Sequence, residues 1–155
     1  MSVKLTDYFS PDLALLELKA TDKTDVLLEL SEFAKEKGLV PDAERMFEGL
    51  MKREELISTG IGDGVAIPHA RVAGVEKIFI IFARSKKGID FDSLDGEPAR
   101  LFVTIVGPEE GDKDQLKILS RTARLLKQSD FRERFLAAAS EEEALRCVRE
   151  GESWW

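Results

Sequence analysis

His69 is the only histidine among 155 residues, and imidazole is the one side chain that ordinarily titrates near neutrality. In its neutral form it can attack phosphorus through one nitrogen while the other donates a hydrogen bond, and the phosphoramidate formed passes its phosphoryl group onward readily. A histidine considered alone is by default a structural or surface residue, so its neighbours decide what it means. Pro68 comes directly before it, fixing its own φ and restricting the residue before it, which stiffens the backbone under the ring. Gly60, Gly62 and Gly64 alternate just upstream. Glycines there permit positive φ and close backbone approach, which suits either a concave anion site or a plain loop. Arg53 and Arg71 flank the histidine in sequence, and either guanidinium could stabilise charge on phosphoryl oxygens or simply sit in solvent. Ser58 and Thr59 could donate hydroxyl hydrogen bonds to phosphate, or shape the turn.

Other chemistries fit the chain poorly. The glycine segment lacks the helix that a dinucleotide-binding turn must open, because Val65-Ala66-Ile67-Pro68 follows it, and no Gly-Lys-Ser/Thr completes a phosphate loop. One histidine and the single Cys147 supply too few ligands for a zinc centre, so neither metal nor cofactor is expected, and no GxSxG elbow is present. Cys147 lies in a helix-like stretch and reads as a half-buried structural thiol.

The elements that must position His69 follow from periodicity. Residues 13–18 are aliphatic and short enough for a strand. From 22 to 37 the apolar Val26, Leu27, Leu30, Phe33 and Ala34 form a helical stripe, capped by Thr21 or Asp22 and closed by Gly38. A second helix is predicted from Pro41 or Asp42 to about Lys52, with Ala43, Met46, Phe47 and Leu50 on one face. Residues 77–84 and 100–106 are nearly continuous apolar runs, as in strands covered on both faces. Between them, residues 89–96 read as a short hairpin or edge segment turning at Asp95-Gly96. Three further helices are predicted over 113–128, 130–139 and 141–150. Strands flanked by helices give an α/β fold, a mixed β-sheet with helices on both faces.

With 43% hydrophobic and 34% charged residues, the chain should form one domain over 1–155 with a substantial core. No apolar run approaches the roughly 20 residues of a membrane span, and the start lacks a secretory signal, so a cytoplasmic protein without membrane insertion is expected. A net charge of −7 without a basic stripe argues against nucleic acid as a partner. It is compatible with docking on a basic protein face. The closing Trp154-Trp155 pair could pack on an exposed apolar patch.

The run Arg53-Glu54-Glu55-Leu56-Ile57-Ser58-Thr59-Gly60-Ile61-Gly62-Asp63-Gly64-Val65-Ala66-Ile67-Pro68-His69 resembles the phosphorylation-site motif of phosphotransferase-system (PTS) IIA domains of the fructose/mannitol and nitrogen-regulatory type. The likeness continues through 89–96, the strand ending at Gly107-Pro108, the helix over 116–126 and the segment 140–145. The resemblance implies that His69 accepts a phosphoryl group through Nε2 from the phosphohistidine of HPr or its nitrogen-branch counterpart, with Arg53 assisting. In sugar branches the group then passes to a cysteine on a IIB partner. The single-domain form is similar to free-standing IIA proteins, whose phosphorylation state controls which proteins they bind. Family members commonly carry a second histidine, in a His-Leu pair, where this chain has Gln115-Leu116. Glutamine can donate a hydrogen bond to phosphate but can neither become cationic nor shuttle protons. Ala70 stands where glycine is common.

Overall fold

The computed structural model describes residues 3–153; Trp154 and Trp155 lie outside the described residues. Two short 3₁₀ turns, Leu5–Asp7 and Pro11–Leu13, lead into strand β1 (Ala14–Leu15). Helices α1 (Lys23–Glu36) and α2 (Ala43–Leu56) follow, then strands β2 (Gly60–Gly62), β3 (Val65–Ala66), β4 (His69–Val72), β5 (Phe79–Ile89) and β6 (Ala99–Pro108). Helices α3 (Gln115–Leu126), α4 (Ser129–Ala137) and α5 (Glu141–Glu152) complete the order. The strands form one mixed sheet in the order β1-β5-β6-β3-β2. β5 and β6 are antiparallel, whereas β3 and β4 run one after the other, parallel to the far side of β6. No described helix is long and apolar enough to cross a membrane.

Alternation along β6 explains why its sequence is apolar on both faces from Leu101 onward, apart from the buried Thr104. Successive side chains point to opposite faces, and every residue from Leu101 to Pro108 is buried. On one face lies Phe82, opposite Val103, ringed by Phe9, Phe131 and Phe135 at centroid distances of 4.6, 6.4 and 5.6 Å. That is the α4 side. On the other, Phe102 meets Phe91 edge-on at 5.3 Å, and Lys23 at the start of α1 lies over the Phe91 ring. The predicted mixed sheet with helices on both faces is the observed fold.

Three boundaries differ from the sequence expectation for identifiable reasons. Only Ala14–Leu15 of the 13–18 run is strand, because Pro11 opens a 3₁₀ turn and the Leu16 carbonyl accepts from Arg84 Nε at 3.0 Å, although the Leu18 amide still donates to the Arg84 carbonyl of β5 at 3.1 Å. α2 runs to Leu56 rather than Lys52, since nothing between 52 and 56 breaks a helix and extended backbone first appears at the β-branched Ile57. The 89–96 segment forms no strand pair of its own: Ile89 ends β5 opposite Ala99, and residues 90–98 are the loop joining β5 to β6, with a turn in which the Gly96 amide donates to the Ser93 carbonyl at 3.0 Å. Asp90 and Asp95 side chains accept from the Asp92 and Glu97 amides, a local alternative to strand pairing.

Candidate active site

β4 lies at an open margin of the sheet, with β6 as its only strand partner among the described residues. Register sets the directions of its side chains. His69 and Arg71 pair with Ile105 and Gly107 on the face covered by α3 and α4, while Ala70 points back towards α2. The break between β3 and β4 falls at Ile67-Pro68, where proline cannot donate to the ladder.

α2 approaches this margin closely because residue 49 is glycine: a Cβ there would stand 3.3 Å from the Ala70 Cβ. Gly49, Lys52, Arg53 and Leu56 have the i, i+3, i+4, i+7 spacing of one helical face. They line a cavity of about 660 Å³ together with His69, Ala70 and Arg71 of β4 and Asp112, Gln115, Leu116 and Leu119 around the start of α3. Arg53, in the last turn of α2, thereby reaches around the strand to the histidine. The cavity is basic and polar where Arg53, His69 and Arg71 meet. Its rim is apolar, with Leu56 and Leu116 exposed.

Both nitrogens of His69 are engaged. Nδ1 lies 2.7 Å from the Ile67 carbonyl, which can only accept, so Nδ1 carries the proton. Nε2 is left with its lone pair and accepts from Arg53 Nε at 3.2 Å; Arg53 Nη1 donates to the Ile57 carbonyl at 2.8 Å. Burial pushes the imidazole below its ordinary 6.5, the bond to Ile67 opposes this, the Arg53 guanidinium lowers it further and Glu54 raises it. The ring is therefore held neutral through physiological pH, and the Nε2 lone pair is available for attack on an electrophile. Titration of the His69 ring followed by NMR should give a midpoint below 6.5, with Nδ1 retaining its proton on the alkaline limb; a midpoint above 6.5 would contradict this geometry.

The other sequence candidates divide into two groups. Arg71 and Gln115 come to the same cavity as His69 and Arg53. Arg71 lays its guanidinium against Gly111, whose added Cβ would lie 3.2 Å from Cζ. Gln115 is only 6% exposed, and its Oε1 is buried with no hydrogen-bond partner among the described residues. It fits there because residue 107 is glycine, since a Cβ at that position would come within 2.4 Å of Oε1.

Ser58, Thr59, Gly60, Gly62 and Gly64 are not brought to the cavity. The Ser58 hydroxyl donates to the Phe91 carbonyl at 2.6 Å, and the Thr59 hydroxyl donates to the Glu54 carboxylate. Gly62, Asp63 and Gly64 all have positive φ, so Asp63-Gly64 forms the two-residue turn between β2 and β3 that hairpin twist favours. Gly60 packs against Ser93, where a Cβ would stand 2.5 Å from the hydroxyl. Gly60, Gly62 and Gly64 shape the β2–β3 hairpin, and Ser58 and Thr59 brace the segment that leads into it.

Sequence reasoning missed the Ile67 carbonyl, the Gly49 approach, the rim residues Leu56, Leu116 and Leu119, and Glu54. A signal existed for Glu54. It continues the Met46, Leu50 spacing at i+4, placing it on the buried face of α2.

Comparison with known proteins agrees with this arrangement. Residues 7–151 match the family described as phosphoenolpyruvate-dependent sugar phosphotransferase system, EIIA 2. A nitrogen regulatory protein from Bradyrhizobium diazoefficiens is 41% identical over 145 residues, 93% of this chain and 93% of that protein. A fructose-specific EIIA component from Haloferax volcanii is 39% identical over 131 residues, covering 84% and 85% respectively. The crystal structure of nitrogen regulatory protein IIA-Ntr from Neisseria meningitidis superposes with a TM-score of 0.85 at 31% identity, covering 92% of this chain and 97% of that one. A helix-flanked mixed sheet, a margin histidine with an arginine on its free nitrogen, and a family match across nearly the whole sequence lead to one assignment: the chain belongs to the EIIA type-2 family of the phosphoenolpyruvate-dependent sugar phosphotransferase system.

Proposed function

We propose that this chain, working as one domain over 1–155, is a phosphoryl carrier that accepts phosphate on Nε2 of His69 from the phosphohistidine of an HPr-like phosphocarrier. The observation that carries the reading is the pair of contacts on the ring: Nδ1–H on the Ile67 carbonyl and Arg53 Nε at the Nε2 lone pair. In the transfer the Nε2 lone pair forms the new N–P bond while the donor's N–P bond breaks, its electron pair returning to the donor imidazole. The His69 ring keeps its Nδ1 proton and gains positive character, which strengthens the bond to Ile67. Arg53 Nε–H, freed from its nitrogen acceptor, turns to the phosphoryl oxygens, and Arg71 and the Gln115 amide lie in the same cavity to assist. No cofactor is required. The apolar rim of Leu56 and Leu116 suits a protein donor that excludes water from the reacting atoms.

Within that function we favour a nitrogen-regulatory role, in which the charge of phosphohistidine controls binding to other proteins. The supporting observation is Gln115, which can donate to a phosphoryl oxygen but cannot supply a proton to drive it onward. The alternative is a sugar-branch IIA that passes the group to a IIB cysteine. Incubation with phosphoenolpyruvate, enzyme I and HPr should give one acid-labile phosphoryl group per chain, and failure to label would remove the carrier reading. The labelled protein should then keep its phosphate when mixed with fructose- or mannitol-type IIB. Rapid stoichiometric transfer to IIB would establish the sugar branch instead.

A further inference from the structure

We infer that Glu54 is a positioning residue for phosphoryl transfer, holding in place the backbone that fixes His69 in its Nδ1–H form while the same turn of α2 presents Arg53 to Nε2. The inference rests on His69 being the acceptor. Arg53 and Glu54 are consecutive, and about 100° of helical rotation separates their directions. One faces the cavity and the other the interior. The Glu54 carboxylate is buried and takes three donors: the Thr59 amide at 3.0 Å, the Thr59 hydroxyl, and Lys23 Nζ at 2.9 Å.

From Glu54 a chain of short contacts runs to the ring. Thr59 is anchored by its own N–H, and its carbonyl accepts from the Ile67 amide at 2.9 Å. The Ile67 carbonyl then accepts from His69 Nδ1 at 2.7 Å. Thr59 comes just before β2 and Ile67 just after β3, two short strands at the rim of the sheet where few ladder bonds hold the backbone. The Glu54 anchor is thus what a narrow, twisted hairpin needs if the carbonyl two residues before His69 is to stay within hydrogen-bond distance. Were that carbonyl to drift, the neutral ring could move its proton to Nε2 and lose the lone pair that attacks phosphorus. Rigid support behind a reacting group commonly contributes tenfold or more to activity.

A purely structural role is the competing explanation, because Lys23 and Glu54 also tie α1 to α2. Glu54→Gln keeps size and shape but sets an amide against Lys23, and Glu54→Asp keeps the charge but withdraws it by one carbon. Lys23→Met serves as control, since it weakens the same tie without touching the Glu54–Thr59 bonds. The readouts are the His69 ring nitrogen shifts, which report the tautomer without any phosphoryl donor, and the rate of phosphorylation at saturating phospho-HPr against its KM. Folded E54Q should show a raised Nε2–H fraction and a rate about tenfold lower at little-changed KM, with a smaller effect in E54D and none in K23M. A wild-type tautomer and rate in either folded Glu54 variant, or the same loss in K23M, overturns the inference. Failure of both Glu54 variants to fold also overturns it, by assigning Glu54 to stability alone. Loss of the carrier reading itself would appear separately, as a wild-type chain that does not label.

Discussion

His69→Gln abolishes phosphoryl uptake from phospho-HPr, with a fall on the order of 10⁴-fold or more, comparable to removal of a nucleophile elsewhere. Glutamine keeps a polar group of similar reach but has no basic nitrogen lone pair, because the amide nitrogen is conjugated with its carbonyl. No other histidine exists in the chain to take over. The fold should survive, because the half-buried His69 side chain stands at an open sheet margin and its hydrogen bonds among the described residues are to one backbone carbonyl and one arginine. Mass measurement after incubation with the complete donor system, beside thermal unfolding of the same sample, separates loss of chemistry from loss of structure. Wild-type labelling in the folded variant would place the phosphoryl group elsewhere and remove the central assignment.

The parts of this site that were legible in the sequence are those for which residue type and position carry the same message. A lone histidine after proline, with arginines on either side, already pointed to the cavity that holds His69, Arg53 and Arg71. The five glycine and hydroxyl residues from 58 to 64 were legible as an anion site or as a turn, with nothing in the sequence to choose between them. A glycine with positive φ serves an anion cradle and a hairpin corner equally well. What separates the two is where the amides point, and that depends on the pairing of β3 with β6 across distant sequence. Glu54 was hidden for the opposite reason: a glutamate in a run of charged residues reads as solvent-facing. Helical phase from Met46 and Leu50 places it inside, and its three donors offset the cost of burial. The fold itself was more legible, because β5 and β6 are buried on both faces and their apolar runs say so directly. The 90–98 loop escaped since side-chain acceptors there take the place of strand pairing.

Arg53→Met should slow phosphorylation of His69 by about 10² to 10³-fold, the usual range for losing one well-placed donor to a developing anion. Two properties of Arg53 meet in that number. Its Nε–H marks the spot beside Nε2 where phosphoryl oxygens will gather, and Nη1 on the Ile57 carbonyl holds the guanidinium plane there beforehand. Arg53→Lys retains the charge but has no planar arrangement of donors with which to satisfy both contacts, so it should recover only part of the rate. The same substitutions carry an independent electrostatic signature. Arg53 lowers the His69 titration, so removing the cation moves the midpoint upwards in R53M, while R53K keeps more of the depression. A raised midpoint places more of the ring in the protonated form at neutral pH, where Nε2 has no lone pair, so part of the loss should be recovered at alkaline pH. The part that remains at high pH measures stabilisation of the transferring group. Single-turnover rates from pH 6 to 9, set beside the NMR midpoint of each variant, divide the two contributions. Equal rates for R53M and wild type across that range would show that the guanidinium only packs beside the ring.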